Sequence, residues 1–439
     1  MPRKLTLLPL VAAIYFMVFG GPYGLEDIVA RSGYAGAIAI LLLTPLLWAL
    51  PTGLMVAEMT SAVPEEGGYY VYVTRGLGRF WGFQEVWLSL AGSIFDMAIY
   101  PTLFIGYLGH FLPAATAGAR GMAIGVALVA AAALWNALGA RKVGGSSVLL
   151  GIVLLTPFAV LMAVGALHRA PATAPVPLRQ ADILGGILVA MWNFMGWDNS
   201  STVAGEVENP RRTYPLAMVF GILAVTVTAI LPIAAVALTG LDPNRWSTGG
   251  WAVVAQAIGG GTLLAFAITA GGMIGAAGSL NALTLSLSRL PAVLAEDRFL
   301  PRIFARRNAA GAPWFSIGAC ALLWALALQL TFVKLIALDV LLTGLSILLQ
   351  FAALVGLRVR EPGLKRPYRV PGGIWGAIGI GIPPLVLLIL TALRTQIEPV
   401  GPINALDLGA LLIAGGVGAY FLGRTNRAGI SNASDNIGS

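Results

Sequence analysis

From Leu7 to Phe421 the chain is a succession of apolar runs of roughly twenty residues joined by short polar or Gly/Pro-containing links. Inside a bilayer every backbone polar group must find its partner within the protein, so only helices or closed barrels can cross. The runs are continuous rather than alternating, which selects helices. Expected spans lie near 6–30, 36–62, 81–110, 120–138, 146–167, 183–206, 215–239, 252–288, 314–331, 335–357, 374–394 and 405–423. The fold class expected is an all-α integral membrane protein with twelve transmembrane helices.

Two of these runs are interrupted at membrane depth. The first contains Gly20-Gly21-Pro22-Tyr23-Gly24, where glycines permit non-helical backbone and Pro22 removes a donor. The sixth contains Trp192-Asn193-Phe194-Met195-Gly196-Trp197-Asp198, an amide, a glycine and a carboxylate between two apolar half-helices. An aspartate at a helix centre costs roughly 2.5–3.5 kcal/mol on insertion, so it persists where a broken helix lines a cavity. Five spans separate the breaks. Five is odd, so residues 183–358 are expected to repeat 1–167 upside down, a 5+5 inverted repeat with broken helices 1 and 6. Helices 11 and 12 (374–423) and a flexible tail (424–439) follow. Paired breaks in inverted halves point to a transporter's central site.

Composition agrees with a membrane class and removes others. Hydrophobic residues are 58% and charged residues 10%, against about 45–50% and 25% in soluble domains. The net charge of +8 does not come from basic patches interleaved with aromatics, so nucleic acid is not an expected partner. It follows a positive-inside bias: with a cytoplasmic N-terminus, all Lys and Arg fall on the inner side except Arg31, Arg120, Arg169, Arg179, Arg245, Lys334 and Arg394. Both termini are then cytoplasmic in a multi-pass protein of the cell membrane. Arg3-Lys4 before an apolar stretch imitates a signal peptide, but the stretch enters the first break and reads as an uncleaved span. Cys320 is the single cysteine and His110 and His168 are the two histidines. Cysteine- or histidine-based metal sites are thereby excluded, and no cofactor is expected. There is no P-loop, Gly-x-Ser-x-Gly elbow or zinc spacing, so the chain is not read as an enzyme. Asn199 and Asn432 match the glycosylation pattern but fall in the membrane and in the cytoplasmic tail, where neither is used.

Acidic residues stand out against this apolar background. Glu26 and Asp27 follow the first break, where they suit either a helix N-terminus or an acidic entrance for a cation. Asp96 lies well inside the third span with Tyr100 one turn on. Asp198 closes the second break. Asp198, Asp96 and Glu26 are candidates for carrying protons, and Tyr23, Trp192 and Trp197 for stacking on a cation. Asn281 and Ser279 in the eighth span are expected to face the same cavity. Glu58, Glu65, Glu66, Arg75 and Arg79, with Glu206, Arg211 and Arg212, cluster at the inner ends of the spans. Ion pairs among them, Glu58, Arg75, Glu206 and Arg211 in particular, would form an inner gate.

At these residues the chain resembles a known superfamily. Trp192 to Asp198, followed by Ala204-Gly205-Glu206-Val207-Glu208-Asn209-Pro210-Arg211-Arg212-Thr213-Tyr214-Pro215, is similar to the sixth-span signature of the amino acid–polyamine–organocation superfamily. Gly20 to Asp27, Asp96 to Pro101 and Leu364 to Pro371 resemble matching segments of the polyamine-uptake permeases of plants and protozoa. The resemblance runs from the first to the eleventh span. It implies a LeuT-type fold, alternating access and secondary transport of amines or amino acids. It also implies a gating role for Trp192, proton or substrate sensing at Asp198, and substrate binding at Gly20, Gly21, Pro22, Tyr23 and Gly24. Three departures bear on substrate and coupling. Pro22 removes a donor that amino acid binders use for the carboxylate, the fifth span has no lysine, and Asn281 stands where the polyamine branch has a glutamate.

The expected function is import of a polyamine or basic amino acid, driven by protons. The candidate substrate site comprises Gly20 to Gly24, Asp96, Tyr100, Trp192, Asn193, Trp197, Asp198 and Asn281. A neutral amino acid permease or exchanger is the alternative, and a non-transporting nutrient sensor a third reading. No obligate protein partner is expected beyond the lipid bilayer.

Overall fold

The computed structural model describes residues 6–63, 68–138, 147–170, 178 and 181–435, with the backbone alone for 147–150, 202–206, 210–211 and 424–435. Helix α1 (Leu7–Val18) stops at the first break, where Phe19 turns to extended backbone. Helix α2 (Glu26–Thr44) restarts beyond it, bends at Gly33 and passes through a π-helical turn at Pro45–Ala49 into α3 (Leu50–Ala62). A helix not expected from the sequence, α4 (Gly68–Leu77), precedes the long α5 (Arg79–Phe111). The short α6 (Pro113–Thr116) links it to α7 (Ala119–Ala137), and α8 (Ser147–Leu167) follows.

The second broken element is α9 (Ile183–Asn193), then Phe194 to Gly196, then a 3-10 helix at Trp197–Glu206 in place of the expected α-helical half. Helix α10 (Pro210–Ala237) comes next. The expected span 252–288 is two helices, α11 (Trp251–Ala257) and α12 (Gly261–Leu287), parted where Gly259 and Gly261 take positive φ. The chain continues through α13 (Leu290–Glu296), α14 (Trp314–Ala327), α15 (Phe332–Arg360) and α16 (Gly373–Thr395). A two-residue hairpin, Pro399–Val400 with Ile403–Asn404, leads into α17 (Ala405–Asp435). The polar composition after Arg424 predicts a flexible tail, yet the backbone stays helical to Asp435; a nucleated helix adds residues at little cost.

Among the described residues eight helical stretches are long and apolar enough to cross a membrane, and Leu7–Val18, Gly151–Leu167 and Trp314–Ala327 are shorter apolar helices. Their outward surfaces carry bare Leu, Ile, Val, Phe and Trp, such as Leu263, Phe266 and Trp375. That surface suits lipid. Glu26, Glu58, Glu85, Asp198 and Asp339, with Asn136, Asn193 and Gln350, turn inward instead.

The two ends of the bundle are held by ion pairs. At one end Glu58 on α3 is 1% exposed in its side chain. Arg358 donates to it through Nε at 2.9 Å and through Nη2, and the Val370 N–H donates at 2.7 Å. Arg366 Nε stands 3.5 Å away. Nearby, Arg75 grips Glu361 through two bonds of 2.6 and 2.7 Å, which hold that carboxyl below its usual range. Glu58 therefore pairs with the end of α15 and the loop after it rather than with Arg75, because Val370 and Arg366 of that loop reach its carboxylate. The side chains of Glu206 and Arg211, and residues Glu65 and Glu66, lie outside the described residues.

At the other end Asp182 caps α9, accepting the Gly185 N–H at 2.8 Å. It also binds Arg31 Nη1 at 2.7 Å and Arg394 Nη2 at 2.8 Å. Its own N–H donates to the Arg31 carbonyl at 2.9 Å, so the starts of α2 and α9 are stitched together.

Two predictions follow from burial and charge. Glu58→Ala leaves Arg358 buried without its partner and should remove about 3–5 kcal/mol of stability. Arg75→Ala breaks a partly exposed pair and should cost about 0–1 kcal/mol. Thermal melts of the two variants in detergent check the contrast. Burial alone would raise the Asp182 carboxyl. The hydrogen bonds from Arg394 and the Gly185 N–H, with the charges of Arg394 and Arg31, outweigh it and hold the group below its ordinary value. A depressed carboxyl contributes stability above its unfolded value of about 3.9 and loses it as pH falls through the lower folded value. The gap in melting temperature between wild type and Asp182→Asn should therefore be constant from pH 8 to 5 and close below pH 4.

Candidate functional site

Each break is built into the other. Gly24 takes φ +85°, and a Cβ there would stand 3.0 Å from the Trp192 ring at the end of α9. Gly196 takes φ +93°, and a Cβ there would stand 3.0 Å from the Met17 carbonyl at the end of α1. Only glycine combines that backbone region with so close an approach. The peptide groups freed by the breaks are bonded locally. Trp251 Nε1 donates to the Pro22 carbonyl at 2.7 Å, the Tyr23 N–H to Gly21 at 2.7 Å, and Trp197 Nε1 to the Phe194 carbonyl at 2.8 Å.

Asp96 on α5 sits beside this junction. Trp192 Nε1 donates to its Oδ1 at 3.1 Å, and Tyr100 lies one helical turn on, close enough to act on the same carboxyl. The Trp192 ring lies 6.3 Å from Tyr100 and 5.9 Å from Phe332, centroid to centroid. Asp339 on α15 is close enough for its charge to act on Asp96, and accepts from Thr343 Oγ1 at 2.8 Å. Among the described residues no lysine or arginine forms an ion pair with either carboxylate. Asp96, half-buried, and Asp339, buried, share a corner lined by aromatics.

Glu26 is buried beyond the first break and accepts Tyr107 OH at 2.5 Å through Oε1, while Oε2 has no partner. Asp27 accepts Thr248 Oγ1 at 2.6 Å and stands 4.0 Å from Arg31. Glu26 thus belongs to the interior and Asp27 to the ionic chain at the Asp182 end. Tyr23 packs edge-on against Tyr107 and Phe158, its hydroxyl unbonded in the space left by Gly271.

Other expected site residues are committed to packing. Asn193 Nδ2 returns to the Val189 carbonyl of its own helix at 3.0 Å. Trp197 is wholly buried between Ile14 and Gly221, far from a stacking role. Asn281 receives Asn136 Nδ2 at 3.0 Å, tying α12 to α7, whereas Ser279 faces Gly20. Asp198 accepts Gln350 Nε2 at 3.0 Å, and the same amide donates to Glu85 Oε1 at 2.9 Å. Asp198 therefore meets α15 and α5.

Reading single residues overlooked Asp339, Glu85 and Gln350. The signal was periodic: Glu85, Ser89, Gly92, Asp96 and Tyr100 recur at three- and four-residue steps, a stripe down one face of α5. Asp339, Thr343, Ser346 and Gln350 form the matching stripe on α15.

The interlocked breaks give a clean test. Gly24→Ala forces a strained backbone against Trp192 and should cost about 1–3 kcal/mol. Gly278→Ala on α12 fills open space and should stabilise by up to about 1 kcal/mol. Thermal melts in detergent distinguish the two.

The comparisons with known proteins agree with this architecture. A family model described as amino acid permease matches residues 11–411. A polyamine transporter of Arabidopsis thaliana is 34% identical over 405 residues, covering 88% of this chain and 79% of the relative. A polyamine transporter of Oryza sativa subsp. japonica is 34% identical over 419 residues, covering 93% and 78%. More distant is a serine/threonine exchanger of Bacillus subtilis, 28% identical over 363 residues, covering 77% and 80%. These relatives are transporters, not enzymes. With a match across nearly its whole length and apolar helices throughout, the chain is a multi-pass membrane protein that belongs to the amino acid permease family.

Proposed function

We propose that this protein is a secondary transporter that imports an organic cation, a polyamine or a basic amino acid, by alternating access and in company with protons. One observation carries the reading: Asp96, half-buried, and Asp339, buried, share a corner at the junction of the two breaks, beside Trp192 and Tyr100, with no ion pair to a protein cation among the described residues. Buried charge is costly unless paired. An ammonium group between these carboxylates supplies the missing charge, and the aromatic faces add cation–π attraction. Relatives named polyamine transporters support the same substrate class. A negative-inside potential favours entry by about 2.3 kcal/mol per charge per 100 mV.

In this reading the eight long helical stretches, the three shorter ones and the broken pair around Phe194 make twelve spans. Residues 1–167 and 183–358 are the inverted five-helix repeats, 374–423 the last two helices. The Glu58–Arg358 end faces the cytoplasm, together with both termini, and the Asp182 end faces outward from the cell membrane. Glu58, Arg358 and Arg366 latch the inner side. Asp27, Arg31, Asp182 and Arg394 latch the outer one. The half-helices α1 and α9 with their 3-10 continuation move between these latches.

Exchange of neutral amino acids is the second reading. The serine/threonine exchanger among the relatives favours it.

Uptake of radiolabelled spermidine, putrescine, arginine and leucine into proteoliposomes separates the readings. Saturable polyamine or arginine uptake is expected, falling on the order of tenfold or more in Asp96→Asn as a charge-assisted hydrogen bond is lost. Leucine uptake without polyamine uptake would reject the cation site.

A further inference from the structure

Helices α5 and α15 run antiparallel, and their polar stripes meet residue for residue. Gln350 faces Glu85, Ser346 faces Ser89, Thr343 faces Gly92 and Asp339 faces Asp96. The result is a continuous polar seam through the interior. One end of it is the Asp96–Asp339 corner. The other is a second pair of acids, Glu85 and Asp198, about 16 Å away along α5 at 1.5 Å per residue.

The second pair has an unusual hydrogen-bond inventory. Both hydrogens of the Gln350 amide are used, one on Glu85 Oε1 at 2.9 Å and one on Asp198 Oδ2 at 3.0 Å. Ser346 Oγ adds a bond of 2.7 Å to Glu85 Oε1. Glu85 Oε2 and Gln350 Oε1 have no partner, although both residues are 0% exposed. From α4, Tyr69 lies close enough to the two acids to feel their charge. From α5 itself the neighbour is Ser89, from α15 Ser346 and Gln350, and from the 3-10 helix Asp198. Among the described residues no lysine, arginine or histidine joins them. Two carboxylates on one neutral amide, with one acceptor oxygen of each kind left over, lack a hydrogen that would complete the set.

We infer that the Glu85–Gln350–Asp198 cluster is a proton-binding site, separate from the amine corner, and that Glu85 carries the proton that drives transport. The inference rests on the transporter reading above. A proton from water on the open side bonds to Glu85 Oε2, and the pair passes from two negative charges to one. Like charges at this range repel strongly in a low dielectric. Glu85 and Gln350 belong to unbroken helices, whereas Asp198 belongs to the segment after the second break. Protonated, the cluster seats that segment on the seam. When the proton leaves to water on the other side, two carboxylates share one amide and the Ser346 hydroxyl, and the segment is pushed away. Proton occupancy thereby biases a two-position element without touching the substrate.

The test uses purified protein in proteoliposomes with the same four probes, radiolabelled putrescine, spermidine, arginine and leucine, and a trapped pH dye. Wild type is expected to accumulate at least one probe under an inward proton gradient, with lumenal acidification on probe addition. Glu85→Gln should keep probe binding within about twofold and probe-for-probe counterflow without a gradient, while losing gradient-driven accumulation and the acidification. Glu85→Asp should restore part of both. Gradient-driven accumulation intact in Glu85→Gln would overturn the inference. So would wild-type uptake indifferent to the gradient, or loss of binding and counterflow together with coupling. If the moving probe is leucine alone, the cation reading fails while the proton site is still judged on leucine. Should Glu85→Gln not fold, Ser346→Ala removes one hydrogen bond from the same carboxylate and should shift the pH midpoint of uptake by about half a unit or more; an unmoved midpoint would overturn the inference.

Discussion

Peptide groups released by a helix break at membrane depth have no water to turn to, and most of this interior is arranged around that constraint. The carbonyl of Pro22 takes the indole N–H of Trp251, that of Phe194 takes the indole of Trp197, and that of Ser200 takes the hydroxyl of Tyr214 at 2.7 Å. These donors come from large side chains wedged beside the breaks, which explains why so many aromatics are wholly buried in a chain whose surface is already apolar. The breaks also brace each other, Gly24 against Trp192 and Gly196 against Met17.

Charge divides along the same lines. At the two ends every acid described above has an arginine: Glu58 with Arg358, Glu361 with Arg75, Asp182 with Arg31 and Arg394. In the interior the acids Glu26, Glu85, Asp96, Asp198 and Asp339 have hydroxyls, indoles and amides instead. Neutral donors orient a carboxylate without cancelling its charge. A cargo of opposite sign can still be attracted there, while the end pairs are self-contained and act as clasps.

Much of this is legible in the sequence. Continuous apolar runs meant helices, and Gly20–Gly24 and Asn193–Asp198 marked the breaks within a residue or two. Asp96 stood out because a lone carboxylate in lipid demands a reason. Trp192 and Tyr100 lie beside it in the structure. Trp197 and Asn281 show the limit: each is the right kind of residue for a binding site, yet the indole of Trp197 closes its own turn and Asn281 is held by Asn136. Sequence tells what a side chain can bond, not which way its helix is turned.

The sequence by itself determined the class of fold, the family, the position of the two interruptions and the excess of buried acids, since each follows from composition, spacing or local backbone chemistry. Only the tertiary structure decided the partners. Glu58 pairs with Arg358 across some three hundred residues, Asp96 meets Asp339, and Glu85 shares Gln350 with Asp198. Those contacts depend on the rotation and register of packed helices, which arise from the fit of entire faces and are written in no single motif.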